Sequence, residues 1–359
     1  MAEARWRSSW IGVWTRAVVE PASRRAGAVW LGSGIVTAVL FGPTGITPAE
    51  LTRLALHNAG LGVALTAIWL LMFVPIARVV VRADAARYLR ALPGSTVAPL
   101  VVGIVALVVM QLPWLALWVL GQGLVGLGVV AATTVVAIAI ARWQPPPSRA
   151  RTVVWRHPRA ALRGIYMRAL RRRAGDAITR GVGLSILAGM TGGLLVHNNQ
   201  LDGEAAAALG TGVITVVIVP AVAGLLVTLV DAHRSSAWLA SSLGISPLTR
   251  AIALASAAAV VYATSAAIAV IATAVVIGVS STILWVGATT AAIALGSALA
   301  VTRGLIAAEH SDVGAQKVVV AAVVTAAVAV VWLGLLGVAG IAAMAATAVV
   351  MLFTARVRE

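Results

Sequence analysis

The sequence predicts an all-α fold: a polytopic bundle of about ten transmembrane helices with both termini on the cytoplasmic side. Three observations lead there. Of 359 residues, 61% are hydrophobic and only 11% charged, with a mean hydropathy of +1.00. A soluble domain carries about a quarter charged residues, so this chain cannot cover a water-facing surface. Its apolar runs reach the roughly 20 residues that cross a bilayer as a helix, without the alternation that a membrane barrel strand requires. Its basic residues, finally, gather in every second connection between runs, as the positive-inside rule describes.

The net charge of +16 would suggest nucleic acid in a soluble protein. Here the arginines sit at the ends of apolar runs, so they read as cytoplasmic anchors and nucleic-acid binding is set aside. There is no cysteine, hence no disulfide, thiolate metal site or haem attachment.

Residues 1–25 come first. Trp6, Trp10 and Trp14 recur every four residues and share one helical face, with Arg5, Ser9 and Arg16 largely elsewhere. This predicts an amphipathic helix at the membrane interface; the stretch has no uninterrupted apolar core of the signal-peptide kind. The predicted spans are 26–42, 59–78, 98–119, 123–142, 181–197, 206–230, 251–279, 283–302, 318–336 and 339–355. With the N-terminus inside, the N-terminal stretch (Arg5, Arg7, Arg16, Arg24 and Arg25), the inner connections 79–97, 143–180, 231–250 and 303–317, and the C-terminus (Arg356 and Arg358) together hold nearly all the basic residues. The outer connections 43–58, 120–122, 198–205, 280–282 and 337–338 hold Glu50, Arg53, Asp202 and Glu204.

These spans divide into a first group over 26–142, a second over 181–303 and a C-terminal hairpin over 318–359. Between the groups, 143–180 opens with Pro145, Pro146 and Pro147, which end the fourth span. It continues as a strongly basic helix whose Leu162, Ile165, Tyr166, Ala169 and Leu170 recur at helical spacing. A solvated face or contact with anionic headgroups accounts for its charge.

Two inner connections resemble each other. "DAARYLRALPGSTVAPL" (84–100) and "DAHRSSAWLASSLGISPL" (231–248) each follow a proline-containing span. Each runs Asp-Ala, an arginine, an aromatic followed by leucine, a Leu-Pro or Leu-Gly break, serine, then Pro-Leu. Spans one to four would then correspond to spans five to eight in a parallel repeat about an axis along the membrane normal.

Several chemistries are missing from the sequence. No Asp, Glu, His, Lys or Arg falls in the middle of a predicted span, where an ion-coupled carrier needs a titrating group. No His-Glu-x-x-His occurs, and the only lysine, Lys317, is in no phosphate-loop pattern. Candidate pathway residues reduce to Gln111 and Tyr262, though polar groups of this kind more often satisfy neighbouring helices. Gly189 and Gly193, and the stripe Ala288, Ala292, Gly296 and Ala300, predict close helix packing, within one chain before a dimer seam. Trp114, Trp118, Trp285 and Trp332 read as interface anchors.

The N-terminal amphipathic helix and the segments "RYLRALPGSTVAPL" and "AWLASSLGISPL" resemble membrane (permease) subunits of type-2 bacterial ABC exporters. In that family a short cytoplasmic helix after the second span docks into a cleft of the ATPase. The resemblance implies two coupling helices, 84–96 and 231–246. One would carry Asp84, Arg87, Tyr88, Leu89 and Leu92; the other Asp231, Arg234, Trp238, Leu239 and Leu243. It implies two separate P-loop ATPase subunits as partners, which would hold the ATP and Mg; the chain itself would hold no cofactor and no metal and catalyse nothing. It further implies a multi-pass place in the bacterial cytoplasmic membrane and export of a hydrophobic or amphipathic small molecule, lipid or peptide. A fused two-repeat permease should have about twelve spans, and this chain departs from that with four in its first half. Two other readings stand beside it: a ten-span secondary carrier of the drug/metabolite exporter kind, and a non-transporting membrane assembly or scaffold protein.

Overall fold

A computed structural model describes residues 11–41, 46–86, 97–143, 157–309, 337 and 339–340. The described residues are helical, without a strand, and the chain falls into two units, Met1–Ser148 and Arg149–Glu359. Among the described residues, four helices are long and apolar enough to cross a membrane, or five if a bent pair counts as one span. The predicted ninth and tenth spans lie almost wholly outside the described residues.

In the first unit, helix runs without a break from residue 11 into α1 (Glu20–Leu40), through a π-helical turn at Thr15–Val19. Helix therefore continues through residue 25, where the surface helix was expected to meet the first span, without a break there. Pro21 does not create one: it follows directly on the wider π turn at Thr15–Val19, an irregularity of the ladder that lets the helix pass a proline. Trp14, Val18, Ala22, Ala26 and Val29 form a buried stripe along this helix. Trp14 is thus packed inside the unit, while Trp6 and Trp10 lie outside the described residues.

The predicted outer connection 43–58 contains a helix of its own, α2 (Pro48–His57). It begins with a capping box. Thr47 Oγ1 accepts from the Glu50 amide, and the Glu50 carboxylate accepts from the Thr47 amide and hydroxyl. Those two donors, and then Arg53, hold the Glu50 carboxyl below its ordinary pKa. Helix α3 (Ala59–Arg82) follows, started by Asn58 and closed by Ala83 in the left-handed region at φ 45°. Arg82 then reaches across the unit. Its Nε donates to the Ala141 carbonyl at 2.8 Å and its Nη2 to the Trp143 carbonyl at 2.7 Å. These bonds tie the end of α3 to the end of α6 (Leu124–Arg142).

The predicted third span, 98–119, is broken. Helices α4 (Val97–Met110) and α5 (Leu112–Gln122) meet at Gln111 with a bend of 68°. Pro113 has no N–H to continue the ladder, and its ring crowds the preceding turn. Trp30 Nε1 donates to the Met110 carbonyl left at the break. Trp114 and Trp118 are not interface anchors. Trp114 stacks on Trp69 with centroids 5.3 Å apart, Trp118 meets it edge-on at 5.6 Å, and all three rings are buried. Their area stabilises the interior of the unit, and the Trp114 indole N–H is satisfied by Thr133 Oγ1 at 3.1 Å.

The second unit opens with α7 (Pro158–Arg173), then α8 (Gly175–Asn198), α9 (Gly203–Ser242), α10 (Pro247–Ile277) and α11 (Ser281–Glu309). Gly189 on α8 lets that helix touch α10 backbone to backbone: a Cβ there would meet the Ala269 carbonyl oxygen at 2.0 Å. Thr273 Oγ1 donates to the Gly189 carbonyl at 2.9 Å across the same contact. The predicted Gly-x-x-x-Gly packing thus takes place inside one chain. The stripe on α11 does not behave as expected. Ala288 is exposed, a Cβ at Gly296 would meet open space, and α11 packs instead through Val286, Thr289, Thr290 and Ile293.

Three helix pairings recur in the two units, but the close contact of α8 with α10 in the second has only a slight counterpart between α1 and α5 in the first. In the first, α1 lies against α3, α3 against α6, and α6 against α5. In the second, α8 lies against α9, α9 against α11, and α11 against α10.

Candidate functional site

Helix α9 is 40 residues long, about 60 Å at 1.5 Å per residue. The hydrocarbon core of a bilayer is about 30 Å thick, so a span-length part of α9 leaves a long end over. The sequence suggested a separate helix over 231–246. The structure instead runs α9 straight through Asp231 to Ser242, because no proline or glycine interrupts 225–243.

The end of this helix is a Schellman motif. Gly244 takes φ 67°, its N–H donates to the Ser241 carbonyl, and the Ile245 N–H donates to the Ala240 carbonyl at 2.9 Å. Only glycine takes that φ without strain. Ile245 folds back onto the core of the unit. Ser246 then caps α10 by accepting from the Thr249 amide, so α9 and α10 form a sharp helical hairpin at this end.

One side of the α9 end is locked down. Ala232, His233 and Ala240 are buried, and His233 Nδ1 is bonded to the Tyr166 hydroxyl of α7 at 2.9 Å. The other side is open. Trp238 is 71% exposed, Leu243 67% and Leu239 41%. Asp231, Arg234 and Trp238 follow at helical spacing, with Asp231 and Arg234 exposed. Leu248, on the first turn of α10, is exposed too. The serines of this stretch turn inward on the helix: Ser235 and Ser236 donate to the Ala232 carbonyl and Ser242 to the Leu239 carbonyl. What the surface offers is therefore apolar area flanked by one acid and one arginine.

The first candidate segment is built differently where it is described. α3 stops at Arg82, and Asp84 lies exposed on a short 3-10 turn. Arg87, Tyr88, Leu89 and Leu92 lie outside the described residues.

Both candidate pathway residues are buried. Gln111 is engaged structurally: its amide exchanges hydrogen bonds with Thr134 Oγ1 at 3.0 and 3.1 Å. The Tyr262 hydroxyl has no hydrogen-bond partner among the described residues. The free volume between α9, α10 and α11 at Tyr262 is about 20 Å³, lined also by Thr215 and Thr290. That is room for one water-sized group and not for a substrate in this conformation. Among the described residues no three of His, Cys, Asp or Glu gather as a metal site would require.

Sequence reasoning missed the Tyr166–His233 pair. Tyr166 is visible as part of the helical stripe on α7. Its partner lies far along the chain, and no local pattern links them. No protein-family model, no curated protein and no solved structure matches this chain.

Proposed function

We propose that this chain is the membrane subunit of an ATP-driven exporter and that the end of α9 is where a separate P-loop ATPase docks. The observation that carries the reading is the exposure of Trp238, Leu239 and Leu243 on the end of a helix longer than a membrane span. Large apolar side chains held out on a rigid helix are the kind of anchors that fill pockets on a protein partner. Asp231 and Arg234 would fix the orientation of docking rather than its strength. In this reading the two units are copies of a parallel repeat, three of whose helix pairings recur, with 84–96 as the second docking element and the whole as a multi-pass protein of the bacterial cytoplasmic membrane. Nucleotide and Mg would then belong to the ATPase, and the cargo would be hydrophobic or amphipathic.

Purification in a mild detergent should bring down a P-loop ATPase. The double variant W238E/L239E should lower its recovery at least about tenfold, the scale on which interface anchors act. A chain that purifies alone and drives transport with a proton gradient would overturn the reading.

One observation favours the secondary-carrier reading. The break at Gln111 makes α4 and α5 a discontinuous span, and such helices form substrate sites in many carriers. The proton-gradient measurement separates the two.

A further inference from the structure

We propose that α7 is a binding element for anionic phospholipid: its arginines engage lipid phosphates at the cytoplasmic surface while its apolar side fastens it to the second unit. Arg159, Arg163, Arg168, Arg171, Arg172 and Arg173 are exposed, and α7 contains no Asp or Glu. None of the six makes a hydrogen bond or ion pair among the described residues. A helix so charged would be expected to stand off in solvent. This one does not: Leu162, Tyr166 and Leu170 are buried in the core that also holds Leu229, Val230, Leu254 and Ala257. The Tyr166–His233 bond pins it further.

The position of α7 identifies the occupant. It packs on α9 and α10, and Leu254 lies about two turns into α10. That is the level at which a spanning helix passes from its cytoplasmic end into hydrocarbon. The headgroup layer occupies roughly 5–7 Å on each side of that hydrocarbon. Arginine suits this layer, since its planar fork binds phosphate oxygens in pairs and its stem lies along apolar surface. The charge complements an anionic leaflet, where each basic residue near the surface adds to binding. This deepens the membrane reading and rests on it. It does not depend on the ATPase, so the two can fail separately.

The test uses the full chain in detergent, offered equal phosphatidylglycerol and phosphatidylcholine, with retained lipids counted by native mass spectrometry. Wild type should retain phosphatidylglycerol at least about tenfold over phosphatidylcholine. R163Q/R168Q/R171Q/R172Q should bring the ratio near parity, the corresponding lysine variant should keep most of it, and R53Q on α2 should not change it. If the glutamine variant does not fold, a salt series on wild type replaces it: the preference should fall steeply between roughly 0.05 and 0.5 M salt. Equal retention of both lipids by wild type, or an undiminished preference in the glutamine variant, overturns the proposal. A salt-independent preference also overturns it. Displacement of the lipid by millimolar inorganic phosphate would assign the arginines to a free anion instead, and so would overturn it too.

Discussion

The hydroxyl of Tyr166 meets His233 inside the second unit, and both residues are buried. Two effects hold α7 there, and their sizes differ. The hydrogen bond adds about 0.5–1.5 kcal/mol net. Burial of the ring adds more, since truncating a large buried aromatic costs about 3–5 kcal/mol. Tyr166→Phe should therefore destabilise the solubilised protein by about 1 kcal/mol and Tyr166→Ala by about 3–5 kcal/mol, read as shifts in the denaturation midpoint. Equal losses in the two variants would mean that the polar contact dominates. At this scale the sequence was half legible. Of the stripe Leu162, Ile165, Tyr166, Ala169 and Leu170, the structure buries Leu162, Tyr166 and Leu170, half-buries Ala169 and leaves Ile165 exposed. His233 read as an isolated histidine, because its partner is set by tertiary packing.

Among the elements, each predicted span that falls on described residues lies on helix, but hydropathy misses ends where polar residues continue the helix and is blind to what happens inside a run or between runs. Three features escaped for that reason. α9 continues past Asp231, because polar residues do not stop a helix when nothing breaks its ladder. The third span bends at Gln111, and Pro113 was the visible signal. α2 stands in a predicted connection, announced only by Thr47 and Glu50 at capping-box spacing. Glycines show the same limit. Gly189 and Gly296 both read as packing positions, yet only Gly189 meets a backbone. Gly189→Ala should therefore force α8 from α10 and destabilise by about 1–3 kcal/mol. Gly296→Ala should be neutral or slightly stabilising, since alanine favours helix by up to about 1 kcal/mol. The same denaturation series measures both, and a harmless Gly189→Ala would contradict the close contact.

At the scale of the whole molecule, each unit ties helix ends together within itself. Arg82 binds the carbonyls at the end of α6 in the first, and α7, the end of α9 and the start of α10 meet in the second. The sorting of basic residues along the chain, read from sequence alone, would put these ends on the inner side. The reading of Trp238 as a docking anchor requires that this end face the cytoplasm. The chain has no cysteine, so a single introduced thiol reports its own side without background. Ser242 and Ser280 are both exposed and sit at opposite ends of α10's neighbouring connections. In right-side-out vesicles a membrane-impermeant maleimide should label Ser280→Cys and leave Ser242→Cys untouched; in inverted vesicles the pattern should reverse. Labelling of Ser242→Cys from the outside would contradict the account, because no cytoplasmic ATPase could then reach Trp238.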